Sequence, residues 1–270
     1  MSDIRPQGRA EIKRLLAEHD LRPQRRLGQH FLADPNTVER IVIEAGVEPG
    51  DRVIEVGSGT GTLTRALVAA GASVVAYEVD RTLRSLLQAE LQDLDVELRF
   101  EDALTADWSG EFSSGSWKMV ANLPYNVGTP ILLDAVRSAA AIERFVVMVQ
   151  KEVALRLVAE PGSKQYGLPS IIAQFHTTPR LAFRVAPTVF MPPPEVESAV
   201  VVLDRIEPHP LAEEAGRLAS QAFQQRRKML RGTLGDRVDR EAFAAAEVSP
   251  SARPEELAAA DFLRLAEVIQ

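Results

Sequence analysis

Cysteine is absent from the 270 residues of this chain, and long apolar runs are absent too. Without cysteine there is no disulfide, no thiolate metal site and no cysteine nucleophile, which suits a reducing compartment. The four histidines are scattered without ligand-spaced pairs, so we expect no metal site. No apolar run approaches the roughly 18 residues that a membrane span needs, and the N-terminus lacks the apolar segment of an export signal. We therefore expect a cytoplasmic protein with no membrane partner.

Net positive charge is also lacking, since the formal charge is −7 at pH 7. This argues against a uniformly basic nucleic-acid binder. A partner, however, responds to the local charge of the surface that it contacts rather than to the net charge of the chain. Basic residues outnumber acids between residues 5 and 26, and residues 217–231 contain no acid. Most such runs are solvated faces, although beside a base-binding motif they become candidate phosphate contacts. The candidates are Arg22, Arg25, Arg26, Arg226, Arg227, Lys228 and Arg231.

Strand-like and helical patterns alternate through the first half of the chain. The strand-like runs are 52–56, 73–77, 96–100, 118–121 and 145–149. This alternation predicts a parallel sheet with helices on both faces. Two further runs, 180–185 and 198–205, flank a proline-rich loop and predict an antiparallel pair at the sheet edge. We predict three regions, which are a basic arm (1–26) with one short amphipathic helix (10–18), an α/β domain (27–207) and a small all-helical domain (208–270).

A glycine-rich loop, Gly57-Ser58-Gly59-Thr60-Gly61, follows the first strand-like run. Glycine allows a tight turn and close approach of a ligand to the backbone. A dinucleotide fingerprint would need a third glycine where Thr62 stands, and no Walker lysine follows. Glu78 ends the next strand, about 20 residues on, where an acid can accept both ribose hydroxyls. The pattern fits an adenosine without phosphates as well as it fits a dinucleotide. The alternative is that the glycines form only a tight turn and that Glu78 only caps a helix.

A second motif, Asn122-Leu123-Pro124-Tyr125, follows the fourth strand-like run. An adenine amino group is a poor nucleophile because its lone pair is delocalised into the ring. Methylating it requires acceptors that hold both N–H groups out of conjugation. The Asn122 side-chain carbonyl can accept one bond, and a backbone carbonyl beside Pro124 can accept the other. Tyr125 can stack on the base. An ordinary strand-ending turn with a core tyrosine is the alternative.

Together the two motifs favour S-adenosylmethionine as the cofactor. Its sulfonium carries an activated methyl group, so the protein has to orient the reactants rather than supply acid–base chemistry. This agrees with the lack of any Ser/His/Asp or paired-carboxylate constellation. An adenine inside a helix cannot reach such a pocket and has to be flipped in.

The chain resembles the KsgA family of ribosomal small-subunit RNA adenine dimethyltransferases. The shared motifs run in order from about residue 22 to the C-terminus. They are Leu27–Leu32, Glu55–Gly61, Asn122–Asn126, Phe190–Pro194, Val196–Val200, Arg226–Lys228 and Arg253–Leu257. The chain departs from the family at His30, where many members carry Asn, and at Gly128, where Ser or Ala is common.

The resemblance implies a Rossmann-like methyltransferase sheet and a small C-terminal helical domain that contacts RNA. It implies double methylation of two adjacent adenosines near the 3′ end of small-subunit rRNA during ribosome assembly. We expect a monomer whose partner is the small ribosomal subunit. The implied cofactor contacts are His30, Leu32, Gly57, Glu78, Asp102 and Asn122, to which the loop adds Gly59.

The resemblance also assigns roles within the site. Asp102 would bond the amino group of the cofactor adenine, and Glu78 would bond the ribose. Tyr125 and Phe190 would enclose the target base, a role for Phe190 that rests on the resemblance alone, because the residues by themselves predict a core aromatic before a proline turn. The candidate catalytic residues are Asn122, Leu123, Pro124, Tyr125 and Phe190.

Three other functions share part of this pattern. The macrolide-resistance group methylates large-subunit RNA with similar motifs. The KsgA family is the better match at Leu123, at residues 126–130 and at residues 253–257. A non-catalytic assembly or RNA-binding factor could keep the fold, and the intact Glu78, Asp102, Asn122 and Tyr125 speak against it. DNA and protein-glutamine methyltransferases should lack the Phe190–Pro194 block.

Overall fold

The structure is a computed structural model that describes residues 4–269, apart from the side chain of Arg25. Its contacts divide the chain into two compact units. The first contains the described residues up to Ala154 together with Arg180–Asp204. The second contains Leu155–Pro179 together with the described residues from Arg205 onward. No helix in this part of the chain is long and apolar enough to cross a membrane.

Nine strands form one seven-stranded sheet and one two-stranded sheet within the described residues. They are β1 Phe31–Leu32, β2 Arg52–Val56, β3 Ser73–Tyr77, β4 Val96–Arg99, β5 Trp117–Asn122, β6 Ile142–Gln150, β7 Thr177–Val185, β8 Phe190–Met191 and β9 Ser198–Arg205. The larger sheet has the order β4-β3-β2-β5-β6-β9-β7, and the smaller one pairs β1 with β8. The predicted Rossmann-like sheet is confirmed.

The strand order of the larger sheet reverses at β2. This strand runs parallel to β3 on one side and to β5 on the other, while β9 runs antiparallel to β6. In open sheets of this kind a ligand binds beyond the carboxyl ends of the strands at the reversal point. The chain segments that follow β2, β3 and β5 are therefore the ones expected to form a site.

Twelve α-helices accompany the strands in the described chain. They are α1 Arg9–Glu18, α2 Pro35–Ala45, α3 Thr62–Ala69, α4 Arg84–Leu91, α5 Trp108–Glu111, α6 Gly128–Ser138, α7 Lys151–Leu157, α8 Leu168–His176, α9 Ala212–Phe223, α10 Leu230–Thr233, α11 Arg240–Ala245 and α12 Ala259–Val268. Helix α2 shows how the sequence sets their limits. Asp34 caps its first turn by accepting from the Thr37 amide at 3.0 Å, and Pro35 occupies a first-turn position where no amide donor is needed.

The N-terminal segment packs into the first unit and does not form a separate arm. Helix α1 buries Ile12, Leu15 and Leu16 in a cluster that includes Leu86 and Leu87 of α4. Each buried aliphatic side chain of this kind contributes about 1.5–3 kcal/mol. The amphipathic helix predicted for residues 10–18 is thus confirmed, but its apolar face packs against α4.

The second unit is helical around α8, α9 and α12. Tyr166 is buried there, and its hydroxyl donates to the Leu257 carbonyl at 2.8 Å. The ring of Phe223 lies 6.4 Å from that of Tyr166 and 6.5 Å from that of Phe262. The predicted scheme began the helical domain at residue 208, whereas the contacts also assign Leu155–Pro179, and thus α8, to this unit.

Glu55 is the one charged residue among the buried positions of β2. It is 1% exposed, and its Oε2 accepts from the Thr64 hydroxyl at 2.5 Å. Burial raises the pKa of the Glu55 carboxyl to about 8, and the nearby Glu78 raises this pKa further, while the Thr64 hydrogen bond opposes the shift. The folded protein therefore favours the protonated carboxyl below that pH.

We predict that Glu55→Gln makes the protein less sensitive to alkaline pH. The folded pKa of Glu55 lies above its usual value of 4.5, so its stability contribution is complete below about pH 4.5 and is lost as the pH rises to about 8. Thermal unfolding midpoints between pH 5 and 8.5 should fall less steeply in Glu55→Gln than in the wild type. The exposed Glu39→Gln is the control and should follow the wild type. Parallel curves for all three proteins would contradict the assigned pKa.

Candidate active site

A cavity of about 870 Å³, part of it open to solvent, lies at the carboxyl ends of β2, β3 and β5. All of the residues that line it belong to the first unit. The structure brings together at this cavity ten of the predicted site residues, and Ser58 of the glycine loop lines it as well. The ten are His30, Leu32, Gly57, Gly59, Glu78, Asp102, Asn122, Leu123, Pro124 and Tyr125.

The glycine loop bends so sharply that a larger residue would not fit at Gly59. Gly59 has φ +58°, and a Cβ built on it would lie 2.9 Å from Cδ1 of Phe31. The Gly59 amide donates to Glu78 Oε2 at 2.8 Å. The loop after β2 is therefore hydrogen-bonded to Glu78 at the end of β3.

Glu78 is 5% exposed and accepts a second hydrogen bond, from the Asp80 amide to Oε1 at 2.9 Å. Burial raises the pKa of Glu78 to about 7, although these two amide bonds favour the charged form. Asp80 in turn accepts from the side-chain amides of Gln24 and Gln29, each at 2.8 Å. The acid thus has a fixed orientation at the cavity wall.

Two features of the cavity fit a nucleoside-containing cofactor. The hydroxyl of Ser58 is buried in the loop and has no hydrogen-bond partner within the described residues, although a buried hydroxyl normally has one. Beyond β3 and β4, Val79 is 49% exposed and Asp102 is exposed, and both line the cavity. An apolar surface beside polar acceptors suits an adenine ring and a ribose.

The Asn122–Tyr125 segment offers two unused oxygen acceptors. Asn122 Nδ2 donates to the His30 carbonyl at 3.1 Å, and Asn122 Oδ1 accepts nothing from the described chain. The Pro124 carbonyl accepts from the amides of Gly128 at 2.7 Å and Val127 at 3.3 Å, at the start of α6. Of the two carbonyls beside the Pro124 ring, the Leu123 carbonyl is therefore the one without a partner in residues 4–269.

Tyr125 is half-buried and contacts two other side chains. Its ring centroid lies 5.4 Å from that of His30, with 30° between the planes. Its hydroxyl forms a hydrogen bond with the buried Ser198 hydroxyl. Burial raises the pKa of the Tyr125 hydroxyl, so the phenol stays neutral. Neither contact was predicted, because Ser198 and His30 lie in motifs that are distant from Tyr125 in sequence.

Phe190 does not line the cavity. It is 0% exposed and belongs to the core cluster that also contains Leu32, Val185 and Val200. In β8 it lies opposite Leu32 of β1. Its ring therefore does not enclose a base together with Tyr125 in this structure, and such a pair would require Phe190 to leave the core. The role of Phe190 stays a prediction.

The predicted RNA-contacting residues lie outside this cavity. Arg22 and Arg26 are exposed in the first unit, and the side chain of Arg25 lies outside the described residues. In the second unit Arg226 is engaged, because it pairs with Glu255 at 2.6 Å and donates to the Lys164 carbonyl at 3.0 Å. Arg227, Lys228 and Arg231 are exposed. Within residues 4–269 no group of three or more His, Asp or Glu side chains could hold a metal ion.

Comparisons with known proteins agree with this geometry. The family model described as ribosomal RNA adenine dimethylase matches residues 21–270. Ribosomal RNA small subunit methyltransferase A of Lactobacillus delbrueckii subsp. bulgaricus is 43% identical over 267 residues, which cover 91% of this chain and 90% of that protein. The protein of the same name from Mycobacterium tuberculosis is 42% identical over 283 residues, which cover 97% and 88%.

Two solved structures are similar over nearly the whole chain. The 23S rRNA methyltransferase ErmE has a TM-score of 0.70 at 26% identity, with coverage of 88% of this chain and 99% of that one. A dimethyladenosine transferase from Plasmodium falciparum has a TM-score of 0.71 at 23% identity, with coverage of 87% and 96%, and this shows the shared fold. Since the family model and the identities both extend over most of its length, the chain belongs to the ribosomal RNA adenine dimethylase family.

Proposed function

We propose that this protein transfers methyl groups from S-adenosylmethionine to the exocyclic amino groups of two adjacent adenosines near the 3′ end of 16S rRNA. The products are dimethyladenosines, made in the cytoplasm during assembly of the small ribosomal subunit. The observation that carries the proposal is the pair of unused acceptors, Asn122 Oδ1 and the Leu123 carbonyl, beside the Tyr125 ring at the cavity.

Several residues of the cavity would hold the cofactor. The glycine loop at Gly57 and Gly59 would allow the cofactor to approach the backbone closely. Glu78 can accept from the ribose hydroxyls, and Asp102 can accept from the adenine amino group. Ser58 would gain the partner that its buried hydroxyl lacks. When bound, S-adenosylmethionine supplies a methyl group on a positively charged sulfur.

The chain's own residues orient the target amine. Before the first transfer, Asn122 Oδ1 and the Leu123 carbonyl each accept one N–H bond, which turns the nitrogen lone pair away from the purine ring. Each transfer replaces one N–H by a methyl group, so one N–H remains to bond an acceptor before the second. Stacking on Tyr125 stabilises the flipped base by about 1–3 kcal/mol. Because both acceptors are held by protein hydrogen bonds before the base arrives, little reorganisation is needed.

The choice of the small subunit rests on the relatives. Those at 38–43% identity are named small subunit methyltransferases, whereas the large-subunit enzyme ErmE is 26% identical. Labelled methyl transfer to under-methylated small subunits, with large-subunit RNA in parallel, tests the choice. Transfer to large-subunit RNA alone would favour the ErmE-like activity, and tight subunit binding without transfer would favour an assembly factor.

We predict that Asn122→Ala lowers kcat for methyl transfer by about 10²–10³-fold, the cost expected for loss of one oriented hydrogen-bonding group at the reacting atom. The affinity for S-adenosylmethionine, measured by calorimetry, should change far less. Asn36→Ala removes an exposed amide on α2 and is the matched control. A kcat within about threefold of the wild type would refute the assigned role of Asn122.

We predict that Arg227→Ala/Lys228→Ala weakens binding to the small subunit and flattens its salt dependence. Both side chains are exposed, so each can neutralise a phosphate, and the slope of log K against log salt should become shallower by about 1–2. Arg240→Ala removes an exposed charge elsewhere in the second unit and should leave the slope unchanged. An unaltered slope in the double variant would mean that these residues only cover a solvated face.

A further inference from the structure

The Tyr125 ring is held at its tip and on one side. The hydroxyl is bonded to Ser198 Oγ, and Ser198 is 0% exposed, so this partner is not available to solvent. The side of the ring meets the imidazole of His30 at a centroid distance of 5.4 Å. A half-buried tyrosine on a loop would otherwise be free to change its side-chain torsions.

His30 is itself fixed by the pairing of β1 with β8. Phe31 lies opposite Met191, which brings the neighbouring His30 and Pro192 together. His30 Nδ1 lies 2.8 Å from the Pro192 carbonyl oxygen. Because a carbonyl only accepts, Nδ1 carries the hydrogen and the ring orientation is set.

The same residue also reaches Asn122. The His30 backbone carbonyl accepts from Asn122 Nδ2, and this bond directs Oδ1 away from His30. His30 therefore contacts both of the residues to which we assign the target base. His30 thus helps to set both the direction of Asn122 Oδ1 and the orientation of the Tyr125 ring.

The distance between the two rings excludes one side of Tyr125 as the stacking surface. A base stacked between two aromatic rings needs about 7 Å between them, since each stacking contact takes about 3.5 Å. The His30 and Tyr125 centroids are 5.4 Å apart, so no base fits between them. His30 therefore supports Tyr125 from behind, and a base stacks on the opposite side.

We propose that Ser198 and His30 are positioning residues for methyl transfer. They hold the Tyr125 ring in the plane that presents the target amine to Asn122 Oδ1 and the Leu123 carbonyl. This inference rests on the proposed function. It predicts a defect in the transfer step rather than in cofactor binding, because small displacements of a reacting group cost rate far more than affinity.

The first experiment compares Tyr125→Phe, Ser198→Ala and the double variant on under-methylated small subunits. Each single change removes the same hydrogen bond and should lower kcat about fivefold, and the double variant should fall no further, since coupled residues are not additive. Ser73→Ala removes a hydroxyl bonded to Asp95 at the opposite end of β3 and should leave kcat unchanged. Losses that multiply in the double variant would overturn the proposed pairing. Should Ser198→Ala not fold, Tyr125→Phe removes the same bond from the other side.

The second experiment separates support of the ring from cofactor contact. His30→Ala should lower kcat about tenfold while the dissociation constant for S-adenosylmethionine, measured by calorimetry, stays within about twofold. His30→Phe keeps a ring behind Tyr125 and should restore kcat to within about threefold of the wild type. A dissociation constant that rises in step with the loss of kcat would make the His30 side chain a cofactor ligand and overturn the inference.

The two proposals fail in distinguishable ways. A wild type that methylates small-subunit RNA while all of these variants match it would overturn the positioning role alone. A wild type that methylates only large-subunit RNA would overturn the proposed substrate, and the same variants assayed on that RNA would still decide the positioning role. Absence of transfer to any rRNA would overturn both.

Discussion

The convergence of β2, β3 and β5 at one edge of the sheet is the constraint on which the site depends. Because these strands are adjacent and parallel, their carboxyl ends lie at the same edge of the sheet, and the segments that follow them are close together. The Gly57 amide donates to the Tyr77 carbonyl at 2.8 Å, and a Cβ on Gly57 would lie 3.6 Å from the Asn122 carbonyl oxygen. The three segments are thus held close enough for one small molecule to touch all of them.

The same convergence places two acids in a poorly solvated region. Burial raises the pKa of both Glu55 and Glu78, yet their surroundings differ. Both line the cavity, but Glu55 accepts from one hydroxyl, whereas Glu78 accepts from two backbone amides. The amides hold Glu78 as an acceptor at the cavity, and the apolar packing of the surrounding strands offsets the cost of burying both groups.

Local patterns in the sequence predicted most of the fold. The runs 52–56 and 73–77 coincide with β2 and β3, and the residues expected after strand ends do line one cavity. Features that depend on contacts distant in sequence could not be predicted. The sequence predicted the amphipathic helix α1 but not the cluster in which it is buried, and Leu155–Pro179 belongs to the second unit because it packs against later helices.

Side-chain contacts within the site were equally beyond the sequence. The residues around Phe190 favoured a core position, which the structure shows, but nothing in their order indicates that it lies opposite Leu32 or that Ser198 contacts Tyr125. The sequence also could not show which carbonyl beside Pro124 is available as an acceptor. The amides at the start of α6 bond the Pro124 carbonyl, which leaves the Leu123 carbonyl. A motif can thus name the residues of a site while their partners are set by the tertiary fold.

The two vacant oxygens of the Asn122–Tyr125 segment also have a consequence for base selectivity. Guanine carries a carbonyl oxygen where adenine carries its amino group, so its lone pairs would oppose those of Asn122 Oδ1 and the Leu123 carbonyl. A purine lacking both hydrogens would leave two desolvated acceptors unpaired, at a cost of about 1–3 kcal/mol each. In the proposed mechanism, the segment that orients adenine would therefore also disfavour guanine.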